Sequence, residues 1–252
     1  MVNNIVNQEY RNSSYKDFKF FIANDKCTNK FKSVYQRYLE KEKISNCFEI
    51  WCFPWRYLAY ISKLWDYEAN GVDITPELNE AFINWLKKNG IKIGKIINDD
   101  AFNYIDKLCK NKKFFDLTYS FWFIEHFTKY LDVIDYHIKA TKKNWYIFIC
   151  TPNFAGWYQR FMHIRLDKDN YDRHVIKSMN PMEWADFMKK KGCDVIEYGY
   201  FWNFDFWVDK ISNNVVKKAV TYFNLLLAKL NIPLPNRKFY SPYCYILAKK
   251  HL

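Results

Sequence analysis

Glycine is scarce in this chain, at 6 of 252 residues against a usual ~7%. An α/β fold ordinarily spends glycine at its strand-to-helix turns, so the shortage is an anomaly for any fold of that class. Also lacking is a run of ~20 apolar residues, which excludes a membrane-spanning helix. The first residues, Met1-Val2-Asn3-Asn4-Ile5, have no basic region followed by an apolar run, so no signal peptide is expected. The seven cysteines (Cys27, Cys47, Cys52, Cys109, Cys150, Cys193, Cys244) are odd in number and form no C-x-x-C pair. That argues against a disulfide framework or a structural zinc and for reduced thiols in a cytoplasmic protein. No repeat, low-complexity tract or Pro/Gly-rich linker divides the chain, so one domain over 1–252 is expected.

Tryptophan is overabundant, with ten copies. Half the residues are hydrophobic and 26% are charged, which is a globular balance. The net charge is +12, but the lysines are scattered. Lys, Asn, Ile, Tyr and Phe are all abundant, as an AT-rich coding sequence produces. The charge leaves anionic substrates and nucleic acid open as partners.

After a polar, aromatic segment at 1–45, with a helical pattern around Asn29–Lys41, short apolar runs alternate with longer amphipathic ones. This is the signature of βαβ units and a parallel sheet. Strands are expected at Cys47–Trp51, Glu68–Val72, Ile91–Ile97, Phe115–Ser120, Tyr146–Cys150, Asp194–Tyr198 and Tyr243–Lys249. Helices are expected at Arg56–Leu64, from Thr75-Pro76 to Lys88, at Phe102–Lys110, Ile124–Ala140 and Pro181–Lys191, and near Val215–Leu230. The stretches 154–179 and 201–239 interrupt the rhythm as insertions.

In an open parallel sheet, ligands sit beyond the carboxyl ends of the strands, where the strand order reverses. The first four tips read Glu49-Ile50-Trp51-Cys52-Phe53-Pro54-Trp55, then Gly71-Val72-Asp73, then Asn98-Asp99-Asp100-Ala101-Phe102, then Asp116-Leu117-Thr118-Tyr119-Ser120-Phe121-Trp122-Phe123-Ile124-Glu125-His126. In this order and spacing they resemble the cofactor motifs of class I S-adenosylmethionine-dependent methyltransferases, over roughly residues 45–200 plus the last strand. The resemblance implies a Rossmann-like α/β sheet, mostly parallel with an antiparallel last strand and helices on both faces.

It also implies a cofactor, S-adenosylmethionine, and roles for its binding residues. Glu49, Trp51, Cys52, Phe53 and Trp55 occupy the loop that approaches the methionine moiety. Asp73, with Ile74 beside it, would accept from the ribose hydroxyls. Asp100 would accept from the adenine amino group, while Ala101 and Phe102 pack on the ring. Ser120 and Phe121 would line the pocket beside the sulfonium. The simpler alternative for Asp73 and Asp100 is a turn or cap residue.

His126, with Glu125 opening the helix after the fourth strand, is a candidate to orient the acceptor or take its proton. His163 and His174 in the first insertion are candidates for the same role. Some relatives bind magnesium through E-x-x-E-H at this point, but Trp122 stands at the first Glu position, so no metal is expected. The insertions carry Phe154, Trp157, Tyr158, Phe161 and Tyr171 beside Arg160, Arg165 and Arg173. These suit a polar small molecule or sugar as methyl acceptor, anionic ones included, with RNA as the lesser alternative.

The chain departs from the resemblance in one consistent way. Trp51, Trp55, Trp122 and Trp145 stand at positions that are glycine in similar sequences, and Trp202 is a further candidate. Trp85 and Trp184 sit on amphipathic helices as ordinary core residues. Two explanations compete: a catalytically silent relative whose pocket is blocked and which serves as a binding or scaffold protein, or glycine codons (UGA) read as tryptophan.

Overall fold

The computed structural model describes residues 4–6, 20–53, 56–75, 80–202, 205–209, 211–230 and 234–251. Seven strands form one sheet: β1 Asn46–Ile50, β2 Glu68–Asp73, β3 Ile93–Asn98, β4 Phe115–Phe121, β5 Thr141–Pro152, β6 Cys193–Phe201 and β7 Tyr243–Lys250. Their order is β3-β2-β1-β4-β5-β7-β6. β1 to β5 run parallel, and β7 is antiparallel to both neighbours. The chain winds outward from β1 to β3 and then returns to β4 on β1's other side. The carboxyl ends of β1 and β4 therefore flank the switch point, where a crevice forms.

Strict alternation of side chains explains the two cores. Cys47, Leu117, Tyr119, Tyr146 and Phe148 enter one cluster with α1 (Lys26–Tyr38), α2 (Arg56–Trp65) and α3 (Glu80–Lys88). Phe48, Ile50, Phe115, Ile147 and Ile149 enter the other with α4 (Ala101–Lys110), α5 (Tyr130–Ala140) and α8 (Pro181–Lys190). Helices thus cover both faces, as a parallel sheet requires.

The first insertion carries α6 (Trp157–Leu166), α7 (Lys168–Asp172) and a 3₁₀ turn at Ile176–Ser178, and the second carries α9 (Val215–Lys229). Among the described residues, no helix is long and apolar enough to cross a membrane.

Two elements differ from expectation, and a third is only partly described. α1 begins earlier than the periodicity suggested because Asp25 caps it: its carboxylate accepts from Thr28 N–H at 3.0 Å while Thr28 Oγ1 accepts from Asp25 N–H at 2.8 Å. The expected opening of α3 at Thr75-Pro76 falls partly outside the described residues. The long helix expected over Ile124–Ala140 is broken. Ile124–His126 is a 3₁₀ turn, Phe127 is extended at φ −121° and ψ 131°, and α5 starts only at Tyr130. The break lets Phe127 turn inward onto Phe102 and Phe123, with ring centroids 5.5 and 4.9 Å apart.

Candidate active site

A cavity of about 230 Å³ opens at the switch point, lined by Trp51, Val72, Asp73, Ile74, Asp100, Ala101, Phe102, Phe123 and Phe127 with Asn4 and Val6. Residues from four strand tips therefore converge on it, and residues 4–6 close one side. Ile5 N–H donates to His126 O at 2.8 Å, which fixes that segment in place.

Asp73 ends β2 almost fully buried, and its two carboxylate oxygens accept from Phe53 N–H at 3.0 Å and Thr75 N–H at 3.1 Å. It thus holds the β1 loop while lining the cavity. Asp100 is the N-cap of α4: its Oδ1 accepts from Phe102 N–H at 3.0 Å and Asn103 N–H at 2.9 Å. The cap uses one of its two oxygens.

Cys52 and Phe53 are buried, and Cys52 lies so close to β2 that a Cβ on Gly71 would sit 2.6 Å from its Sγ. Glu49 is buried beneath the loop, and burial, reinforced by the charge of Asp73, pushes its carboxyl well above the usual range. Trp55 lies outside the described residues.

Ser120 and Phe121 do not line this cavity. Ser120 is fully buried, and its Oγ bonds His137 Nε2 at 2.8 Å. Phe121 stacks on Tyr57 at 4.1 Å in the opposite core. The strand alternation that places Tyr119 and Phe121 on one face sends Ser120 to the other, so both side chains are committed to packing.

The three histidines separate into a pair and an outlier. His126 and His174 rings lie 5.0 Å apart, each anchored by a backbone oxygen: Arg173 O at 3.0 Å from His126 Nδ1, and Asn170 O at 2.7 Å from His174 Nδ1. Burial, and then the neighbouring His126, hold His174 well below the usual imidazole range. His163 is buried 4.0 Å from the Phe154 ring, and Phe154 also packs on His174. Phe154 thus stands between His163 and the pair, and His163 does not line the cavity.

Glu125 is not the helix-opening residue the sequence suggested. It is fully buried, neither carboxylate oxygen has a hydrogen-bond partner among the described residues, and burial raises its pKa well above the usual range. Glu125, His126 and His174 each offer a ligand atom, all within 4.8 Å of one another. This set can hold a divalent cation or relay a proton. The expectation of no metal rested on Trp122, and it did not foresee His174, which a distant insertion brings in.

Trp51 stands between this cluster and Asp73. Its indole packs on Phe123, His126 and Phe127 at 4.9, 5.4 and 6.2 Å. The cavity is consequently smaller than the ~300–1,000 Å³ of ordinary ligand clefts.

No protein-family model and no curated protein sequence matches the chain. Solved structures match in fold. A SAM-dependent methyltransferase from Archaeoglobus fulgidus is 20% identical over 96% of this chain and 99% of its own, with a TM-score of 0.54. The plantazolicin methyltransferase BamL, solved with a triazolic desmethylPZN analog and SAH, is 14% identical over 90% and 84%, with a TM-score of 0.58. The N-methyltransferase NodS from Bradyrhizobium japonicum WM9, solved with S-adenosyl-l-homocysteine, is 11% identical over 98% and 94%, with a TM-score of 0.52. At these identities the likeness establishes the fold, a Rossmann-like methyltransferase sheet.

Proposed function

We propose that this fold serves S-adenosylmethionine-dependent methyl transfer to a small-molecule acceptor. The observation that carries the reading is the placement of Asp73 and Asp100 at successive strand ends on one cavity at the switch point, with apolar Ile74, Ala101 and Phe102 beside them. Two carboxylates and a flat apolar slot match ribose hydroxyls and an adenine ring. The residues present fit the nucleoside half of the cofactor. They do not fit the methionyl half, where the indole of Trp51 fills the space beside Phe123 and His126.

The chain's own contribution to such chemistry is positional. A methyl transfer needs its two reactants held in line, which can supply up to ~7–11 kcal/mol of barrier lowering. His126 lies behind the Trp51 indole, fixed by Arg173 O at 3.0 Å, and would reach an acceptor's proton only where that indole is absent. The half-exposed aromatic and basic side chains of α6, Trp157, Phe161 and Arg165, suit a polar or sugar acceptor; the Arg165 guanidinium lies 4.9 Å over the Phe161 ring.

Adenosine tests the nucleoside half in the chain as written. Saturable binding that is weakened in both Asp73→Ala and Asp100→Ala supports the reading. No binding, or binding indifferent to both substitutions, overturns it. The second reading, a binding protein without catalysis, is favoured by Trp51, and it predicts that S-adenosylhomocysteine fails to bind even when Trp51 is replaced by glycine.

A further inference from the structure

Among the described residues, tryptophans fall into two physical classes. Trp51, Trp122 and Trp202 have φ of 63°, 56° and 69°, the left-handed region that bulky side chains avoid and glycine enters freely. Each is the first residue beyond the carboxyl end of a strand: β1 ends at Ile50, β4 at Phe121 and β6 at Phe201. These are the turns at which an α/β sheet ordinarily uses glycine. The buried indole N–H groups of Trp122 and Trp202 have no hydrogen-bond acceptor among the described residues. The other left-handed non-glycine residues among those described are Asp66, Lys112 and Asn144, and Asp and Asn tolerate the region.

The second class behaves as tryptophan should. Trp184 is fully buried on α8 and donates its indole N–H to Ser178 O at 2.6 Å. Trp65 lies on Tyr35 at 4.0 Å, Trp207 stacks on Tyr243 at 5.2 Å, and Trp85 lies 5.6 Å from Phe20. Trp145 belongs here too, against the expectation from sequence. It is a residue of β5, and the left-handed position is its neighbour Asn144 at φ 67°.

We infer that the natural protein carries glycine at positions 51, 122 and 202. One codon, UGA, means tryptophan in some genetic codes and glycine in others, and a single misread codon explains why all three strand ends bear the same residue. Random decay would scatter residue types. Glycine at 51 removes the indole that separates the cavity from His126 and His174 and opens the space the methionyl half requires. This consequence rests on the proposed cofactor; the assignment of glycine rests on the backbone alone.

The test is the codons in the gene and peptide mass spectrometry of the protein isolated from its source. UGA and glycine at 51, 122 and 202, with UGG and tryptophan at 184, are expected. UGG and tryptophan at the three strand ends overturn the inference. Independently, the triple variant Trp51→Gly/Trp122→Gly/Trp202→Gly should melt at a higher temperature than the chain as written, whereas Trp184→Gly should melt lower. A lower melting temperature for the triple variant counts against the inference. Should mass spectrometry find glycine and the triple variant still not bind S-adenosylhomocysteine, the cofactor reading falls and the glycine assignment stands.

A second inference comes from α9. This helix is inside out: its buried residues are Thr221 and Asn224, which bond Lys217 O at 2.9 Å and Val220 O at 2.7 Å. Its apolar residues face outward, with Val215 80%, Phe223 60%, Leu226 56% and Leu230 61% exposed. At 100° per residue the outward apolar arc covers nearly half the circumference, and Lys218 and Lys229 border one edge. The helix has no acidic residue. Trp157, which stacks on Phe161 at 5.6 Å and Phe239 at 5.3 Å, adds with them a second exposed apolar surface on the same substrate-side insertions.

An apolar face bordered along one edge by lysines fits the headgroup region of an anionic bilayer, where the apolar side chains embed and the ammonium groups meet lipid phosphates. We propose that α9 docks the protein on such a surface. Flotation of the full chain with phosphatidylglycerol/phosphatidylcholine vesicles should show binding that falls with salt and is lost in Phe223→Ser/Leu226→Ser. Absence of vesicle binding overturns the proposal. So does a concentration-dependent dimer that the same double variant dissolves, because a second copy would then cover the face.

Discussion

The backbone N–H of Phe53 donates to the carboxylate of Asp73 at 3.0 Å, which ties the loop after β1 to the tip of β2. One side chain therefore shapes the loop and faces the cavity. Replacing Asp73 by alanine should cost about 1–3 kcal/mol of nucleoside binding, roughly 5- to 150-fold in affinity, because a buried donor loses its partner. Asp73→Asn, which can still accept from Phe53 N–H, should retain part of the affinity. Calorimetry with adenosine on both variants measures the difference, and equal affinity for Asp73→Ala and its parent would remove Asp73 from the site.

Acid stability should depend on His137. Burial lowers its pKa to about 4, against an ordinary 6.5, and its neutral ring bonds Ser120. Between pH 6.5 and 4 the unfolded chain binds the extra proton, so this stability is complete above 6.5 and lost as the pH falls toward 4. The amount is on the order of 3 kcal/mol. Denaturant unfolding at pH 7, 5.5 and 4 should show a drop that His137→Gln flattens.

Glu197 sets a second, lower window. Burial alone would raise its pKa, but bonds from Tyr245, Lys30 at 3.1 Å and Arg37 at 2.8 Å bring it to about 2, against an ordinary 4.5. Its contribution is present above pH 4.5 and lost as the pH falls through 2, on the order of 2–3 kcal/mol. Because Lys30 and Arg37 lie on α1, Glu197→Gln should loosen that helix first. Amide exchange over 26–38 reads this, and unchanged protection there would argue against the tie.

His126→Ala in the glycine-bearing chain should leave S-adenosylhomocysteine affinity near its parent's. Methyl transfer should fall by about 10²–10⁴-fold if the imidazole takes the acceptor's proton. Single-turnover rates with an identified acceptor check this, and a parallel loss of cofactor affinity would make His126 a packing residue instead.

Much of the fold was legible because period-2 and period-3.6 patterns alternate cleanly, and the tips ending in Asp73 and Asp100 could be named from spacing. Other features depended on distant chain. The carbonyls that anchor His126 and His174 come from Arg173 and Asn170, and the break at Phe127 follows from aromatic packing that local helix propensity does not register. Ser120 shows the limit of spacing: a cavity-facing tip and a core-facing strand residue differ by one position, which reverses the face. The tryptophans were legible as anomalies, but only the backbone angles separate Trp122 and Trp202 from Trp145.

The β1–β4 crevice is proposed as an S-adenosylmethionine site that the Trp51 indole closes. Titration of S-adenosylhomocysteine into the chain with glycine at 51, 122 and 202, beside the chain as written, tests it most directly. Saturable one-to-one heat is expected from the first, weakened by Asp73→Ala, and none from the second. No heat from the glycine-bearing chain, or equal heat from both, would contradict it.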